Sequence, residues 1–151
     1  MDVAEKLWEI EQIKQLRARA LRLFDTRDVD AYAELFTDDC EITVTGPAPE
    51  YTLHGRKAVS EAVRSMPEGT TAHRAVMPEI ELIDATHARG IWSMRDYVVI
   101  PGHRNFVGYG HYHDEYEKSS DGQWRFRRYR ITRIRIDELG PVGENPSRQT
   151  R

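Results

Sequence analysis

The chain has one cysteine, Cys40, so no internal disulfide can form, and a reducing compartment is the expected setting. It has no apolar run of membrane-spanning length. Its first residues, MDVAEKLWEIEQ, are acidic and amphipathic where a secretion signal is basic and then apolar. A cytoplasmic protein with no membrane partner is the expectation. A surplus of positive charge is also missing. The formal net charge of −3 provides no basic field for nucleic acid. The sequence shows no internal repeat, no low-complexity block and no serine in a nucleophile-elbow setting. Gly108 and Gly110 lie inside a strand pattern and precede no helix, so they form no phosphate loop. What is present is ordinary: 39% hydrophobic and 31% charged residues in a chain of 151, the size of one domain with a real core.

The first third has a helical period. Val3, Leu7, Ile10, Ile13, Leu16, Ala20 and Leu23 recur every three or four residues and place one apolar stripe along a long helix. Asp25-Thr26-Arg27-Asp28 interrupts it, and Asp28 can cap a second, short helix running through Leu35. A third helix follows the turn at His54-Gly55-Arg56, with Val59, Ala62 and Val63 on one face. The rest reads as strands: Cys40–Val44 and Tyr51–His54 around a Gly46-Pro47 loop, Thr70–Ile83 broken at Pro78, His87–Val99, Asn105–Glu117 and Trp124–Asp137. Asp121-Gly122 is a strong turn signal. Helices first and hairpins afterwards predict an α+β domain over residues 1–139, a cone in which a curved, mixed or antiparallel sheet wraps the long helix around one pocket. The tail 140–151, GPVGENPSRQTR, reads as a solvated end or as an arm that orders against a neighbouring subunit.

Strand parity adds chemistry. The even positions Ala88, Gly90, Trp92, Met94, Asp96 and Val98 form an apolar row holding one carboxylate, so on a buried face Asp96 must be paired, protonated or functional. Tyr129, Ile131 and Arg133 share a face of the last strand, which puts a charge beside large apolar groups. Asp25 at the end of the first helix and His73 at the start of a strand can both point into the cavity. A carboxylate on one imidazole nitrogen fixes the tautomer and makes the other nitrogen a base near neutral pH. The plain alternative is a capping Asp25 and a satisfied core His73, because spacing alone does not establish contact.

The stretches IEQIKQLRARALRLFDTRDVDAYAELFTDD, HGRKAVSEAV, TAHRAVMPEIELID, ATHARGIWSMRDYV and GYGHYHDEYEKSSDGQWRFRRYRITRIRI follow one another in an order that resembles the SnoaL-like, nuclear-transport-factor-2-like superfamily. The resemblance is nearest to bile-acid 7α-dehydratases, with hexachlorocyclohexane dehydrochlorinase and scytalone dehydratase more distant. It implies an Asp–His pair at Asp25 and His73, with Asp96 and Arg133 also lining the pocket. Those families carry a tyrosine or lysine on the first helix shortly before the aspartate, where this chain has Ala20. Tyr112, on the more apolar parity of its strand, is the candidate to replace that donor, and a phenol at the sheet edge is the plain alternative. Trp92 and Tyr129 complete the expected lining.

The resulting expectation is an enzyme needing no cofactor: a dehydratase, other lyase, isomerase or polyketide-cyclase-like protein acting on a hydrophobic cyclic molecule such as a steroid, terpenoid or polyketide. His73 would be the base and Asp25 its orienting partner. Arg133 and Tyr112 would stabilise an oxyanion. Asp96, with a pKa raised by Trp92 and Met94, would protonate a leaving hydroxyl. The alternative is a non-catalytic ligand carrier or assembly subunit of the same fold, like the small β subunits of ring-hydroxylating dioxygenases. A homo-oligomer is expected because an open sheet face needs covering. The resemblance implies a trimer, and the wider superfamily a dimer. A cupin-like metal site at His111, His113 and Glu117 is a weak rival, since no second cupin motif is present. His54, His87 and His103 fall at turns or strand ends, and Cys40 between Asp39 and Glu41 is a poor nucleophile.

Overall fold

Asp2 starts the fold. Its carboxylate accepts from the Glu5 amide at 2.8 Å, and the Glu5 carboxylate accepts from the Asp2 amide at 2.6 Å. This reciprocal cap opens α1 (Val3–Asp25) in a computed structural model that describes residues 1–100, 102 and 105–142. The readings of His103 and of the tail beyond 142 lie outside the described residues. The apolar stripe of α1 is buried from Ile13 to Leu23, while Val3, Leu7 and Trp8 stand exposed on its first two turns. The expected stripe is therefore a core contact only in its second half. The helix ends at Thr26, and Arg27 takes a left-handed φ of 61°, which turns the chain into Asp28, the cap of α2 (Val29–Ala33).

α2 is shorter than its sequence pattern, which runs to Leu35. The Leu35 carbonyl instead accepts from the Phe126 amide at 2.9 Å and draws the chain into the sheet. β1 consequently spans Phe36–Val44, four residues earlier than expected, with Phe36 fully buried beside Phe126. β2 (Tyr51–His54) and α3 (Arg56–Arg64) follow, then β3 (Thr70–Leu82), β4 (His87–Val99), β5 (Asn105–Lys118) and β6 (Trp124–Leu139). The strand order is β2-β1-β6-β5-β4-β3, antiparallel throughout except for the parallel β1–β6 pair. The architecture is the expected α+β cone.

Pro78 does not break β3. The register to β4 shifts between Val76 and Glu79, and Met77 sits at φ 49° with its side chain exposed. β3 is an edge strand, where the donor that proline lacks costs little, so a bulge absorbs it and the strand continues. A second irregularity matters more. Glu115 pairs with Arg128 and Tyr116 with Phe126, so Arg127 is extra. That bulge switches parity along β6, and Phe126 before it and Tyr129, Ile131 and Arg133 after it all reach the inner face. The core joins α1, α2, α3 and this face through residues such as Ile13, Leu16, Phe36, Ile42, Val59, Tyr116 and Phe126.

Candidate active site

Between α1 and the inner face of the sheet lies a cavity of about 470 Å³, a size suited to a small organic ligand. Its walls are mostly apolar: Leu21, Phe24, Val44, Leu53, Val98 and Phe106 are among them. The polar groups that reach it include His73, Thr71, Asp96, Arg133, Tyr112, Tyr129 and Arg17.

Asp25 and His73 are in contact. His73 Nδ1 lies 2.6 Å from Asp25 Oδ1, and the His73 amide donates to Oδ2 at 2.8 Å. The Thr71 hydroxyl adds a third donor to Oδ1 at 2.9 Å. Because an ionised carboxylate only accepts, Nδ1 carries the proton in this contact, which leaves Nε2 as the basic nitrogen. Nε2 has no partner among the described residues. Phe24 packs edge-on against the imidazole, with centroids 5.0 Å apart. Asp25 itself stands behind His73 and is not part of the cavity wall. The helix end places the carboxylate, the strand start places the imidazole, and the three donors lock both.

Asp96 and Arg133 form the second polar feature. Arg133 Nη1 and Nη2 donate to the two carboxylate oxygens at 2.7 and 2.9 Å, and Nε donates to the Thr45 carbonyl at 2.7 Å. Met94 Sδ lies 3.7 Å from Nη1. Both oxygens of Asp96 are thus occupied by a guanidinium. This pairing corrects the expectation of a carboxylic acid surrounded by Trp92 and Met94 and poised to give up a proton. Gly108 makes room for the pair: a Cβ there would stand 2.2 Å from both Arg133 Nη1 and Asp96 Oδ1.

Tyr112 is buried in the wall, and burial pushes its phenol far above the ordinary range, so it stays a neutral hydrogen-bond donor. Tyr129 lines the cavity with its hydroxyl 3.4 Å from that of Tyr32. Trp92 does not line it. Its indole N–H is turned into the core, where it donates to the Tyr116 hydroxyl at 2.9 Å.

Sequence reasoning missed Arg17. The residue is only 2% exposed, and its Nε donates to Asp114 Oδ2 at 3.1 Å while Nη2 bonds Oδ1. Tyr116 also donates to Asp114, at 2.5 Å. Burial works against the Arg17 charge, but Asp114 and the neighbouring phenols more than offset it and hold the guanidinium protonated. The signal was present: residue 17 falls within the Ile13–Ala20 stripe, and Asp114 shares the inward row of Tyr112 and Tyr116.

Among the described residues no group of three or more His, Cys, Asp or Glu side chains is arranged to hold a metal. His111 and His113 sit away from the cavity, and His113 Nε2 lies 2.9 Å from the Thr132 hydroxyl. Cys40 is fully buried, and burial, with Asp39 adding to it against Arg56, lifts its thiol to about 11. No described helix is long and apolar enough to cross a membrane.

A family model described as a SnoaL-like domain matches residues 5–130. The chain belongs to the SnoaL-like family. Solved structures agree on the fold. A putative scytalone dehydratase from Novosphingobium aromaticivorans superposes with a TM-score of 0.80 at 22% identity, over 99% of this chain and 100% of that one. A type-2 hexachlorocyclohexane dehydrochlorinase gives 0.81 at 21%, over 98% and 100%. A type-3 hexachlorocyclohexane dehydrochlorinase from Novosphingobium barchaimii gives 0.79 at 22%, over 96% and 99%. No curated protein matches the sequence. The nearer likeness to bile-acid 7α-dehydratases stands on the motifs alone.

Proposed function

We propose that this SnoaL-like chain is an acid–base enzyme that removes a proton from carbon in a hydrophobic cyclic substrate, using residues of the chain and no cofactor. The observation that supports this most is the His73–Asp25 pair, held by three hydrogen bonds at the wall of a mostly apolar cavity. His73 Nε2 takes the proton, the C–H electron pair moves into a conjugated oxygen, and Asp25 stabilises the imidazolium. The neutral Tyr112 phenol is the donor for the developing oxyanion. The imidazolium then returns its proton to a departing hydroxyl or to another carbon, giving elimination, isomerisation or cyclisation. Asp96 and Arg133, bound to one another, contribute a fixed dipole and not a mobile proton. Steroids, terpenoids and polyketides are the substrate classes that a cavity of this size and polarity suits, and a homo-oligomer remains part of the proposal.

The test needs no knowledge of the product. Hydrophobic cyclic ketones are incubated in D₂O and hydrogen exchange beside the carbonyl is followed by NMR. The wild type should accelerate exchange, and His73→Ala should lower that rate by about 100-fold or more while circular dichroism stays native. Equal exchange by the variant would overturn the mechanism. Ala20, where the related enzymes carry a donor, favours a second reading as a ligand-binding module. Tight ketone binding with no exchange in either protein would establish it.

A further inference from the structure

Among the described residues two arginines, Arg17 and Arg133, reach the cavity, and their donors are spent differently. Arg133 uses Nε on the Thr45 carbonyl and both Nη groups on Asp96, with Met94 Sδ beside Nη1. Arg17 meets Asp114 side-on through Nε and Nη2, so the two hydrogens of Nη1 have no partner among the described residues. Nη1 is not among the fully buried unpartnered atoms, and Arg17 lines the cavity, so this donor is open to an acceptor on a ligand. The guanidinium is also fixed in place. Its Cζ lies 4.2 Å from the Tyr112 ring centroid, 4.5 Å from Phe126 and 5.2 Å from Tyr129.

Ala20 explains why this edge is reachable. A helical side chain leans toward the N-terminus and covers the turn before it, so a long residue at 20 would lie over residue 17. Ala20 and Arg17 both line the cavity. The small side chain of Ala20 leaves the cavity open down to the donor at position 17.

We propose that Arg17 Nη1 binds an uncharged acceptor oxygen, of the ketone type, on the substrate, and so sets the polarity of the substrate class. Asp114 already neutralises the guanidinium, and Asp96 neutralises Arg133, so a carboxylate would bring an uncompensated charge into a mostly apolar cavity, whereas a carbonyl brings only the acceptor that Nη1 lacks. The ligand is therefore a neutral ring system carrying a carbonyl. This deepens the enzyme reading and rests on it for the word substrate, but the binding can be tested without turnover.

Three probes of nearly one shape serve: 9-fluorenone, fluorene and fluorene-9-carboxylate. 9-Fluorenone has no enolisable hydrogen, so its binding reads the arginine and not the chemistry. By calorimetry the wild type should bind the ketone about tenfold or more tightly than the hydrocarbon, and the carboxylate most weakly. Arg17→Lys keeps a cation on Asp114 but loses the Nη1 edge, and Ala20→Leu covers that edge while leaving the ion pair intact. In both variants the ketone preference should fall to about twofold or less, with fluorene still bound. His73→Ala should keep the preference while losing exchange activity, which separates failure of this inference from failure of the enzyme reading. Equal binding of ketone and hydrocarbon by the wild type, tighter binding of the carboxylate, or an undiminished preference in Ala20→Leu would each overturn it.

Discussion

Both faces of the sheet carry carboxylates paired with arginines, and the two faces use them differently. Inward, Asp114 holds Arg17 and Asp96 holds Arg133, with side-chain exposures of 0–10%. Outward, Arg128 bridges Glu41 at 2.8 Å and Glu115 at 3.3 Å with exposures of 38–55%. The inward pairs are largely buried, Arg17 beside three aromatic rings and Arg133 beside Phe106, so each member depends on the other. Outward pairs are replaceable. On the strands parity, and on α1 the buried stripe, decides which charges organise the cavity and which only coat the surface.

The sharpest way to break this contrast is Asp114→Ala, which leaves Arg17 charged and buried; urea denaturation should show a loss of about 3–5 kcal/mol. Gly108→Ala should cost about 1–3 kcal/mol, because its Cβ drives Asp96 from Arg133. In an Asp96→Ala background the same glycine change should cost measurably less, and undiminished additivity would show that the pair is not what it strains. Glu9 titrates below its ordinary 4.5: its own burial opposes this, and bonds from Lys118 and Trp124 override it. A depressed folded value means stabilisation that is present above pH 4.5 and lost as pH falls through the folded value. Glu9→Gln should therefore be less stable than wild type at pH 7, with the gap closing by acid denaturation monitored below pH 4. Arg128→Ala should be the mildest, within about 1 kcal/mol by thermal melting.

Period and parity made much of this legible. The bounds of β4 and the start of β3 follow from alternation and punctuation, and the inward placement of Asp96 and Arg133 from the rows they share. The start of β1 was hidden because Phe36 also continues a helical pattern, and only its pairing with Phe126 decides. Arg17 was hidden because a charge on an amphipathic helix is ordinarily solvated, and what buries it is Asp114, 97 residues away. Trp92 had the right parity but the wrong depth: alternation gives the face, not the distance to the cavity.

The position of β6 between β1 and β5 bears on how the molecule is made. Until that strand leaves the ribosome, the β1–β2 hairpin and the β3–β4–β5 meander are separate pieces, each with a bare edge facing the other. The join is made by pairings between residues some ninety positions apart, such as Phe36 with Phe126, a high contact order that slows folding. The β1 edge thus stays bare while about eighty further residues are made and the β5 edge only briefly, and β6 closes both, bringing Arg133 to Asp96 in the same step.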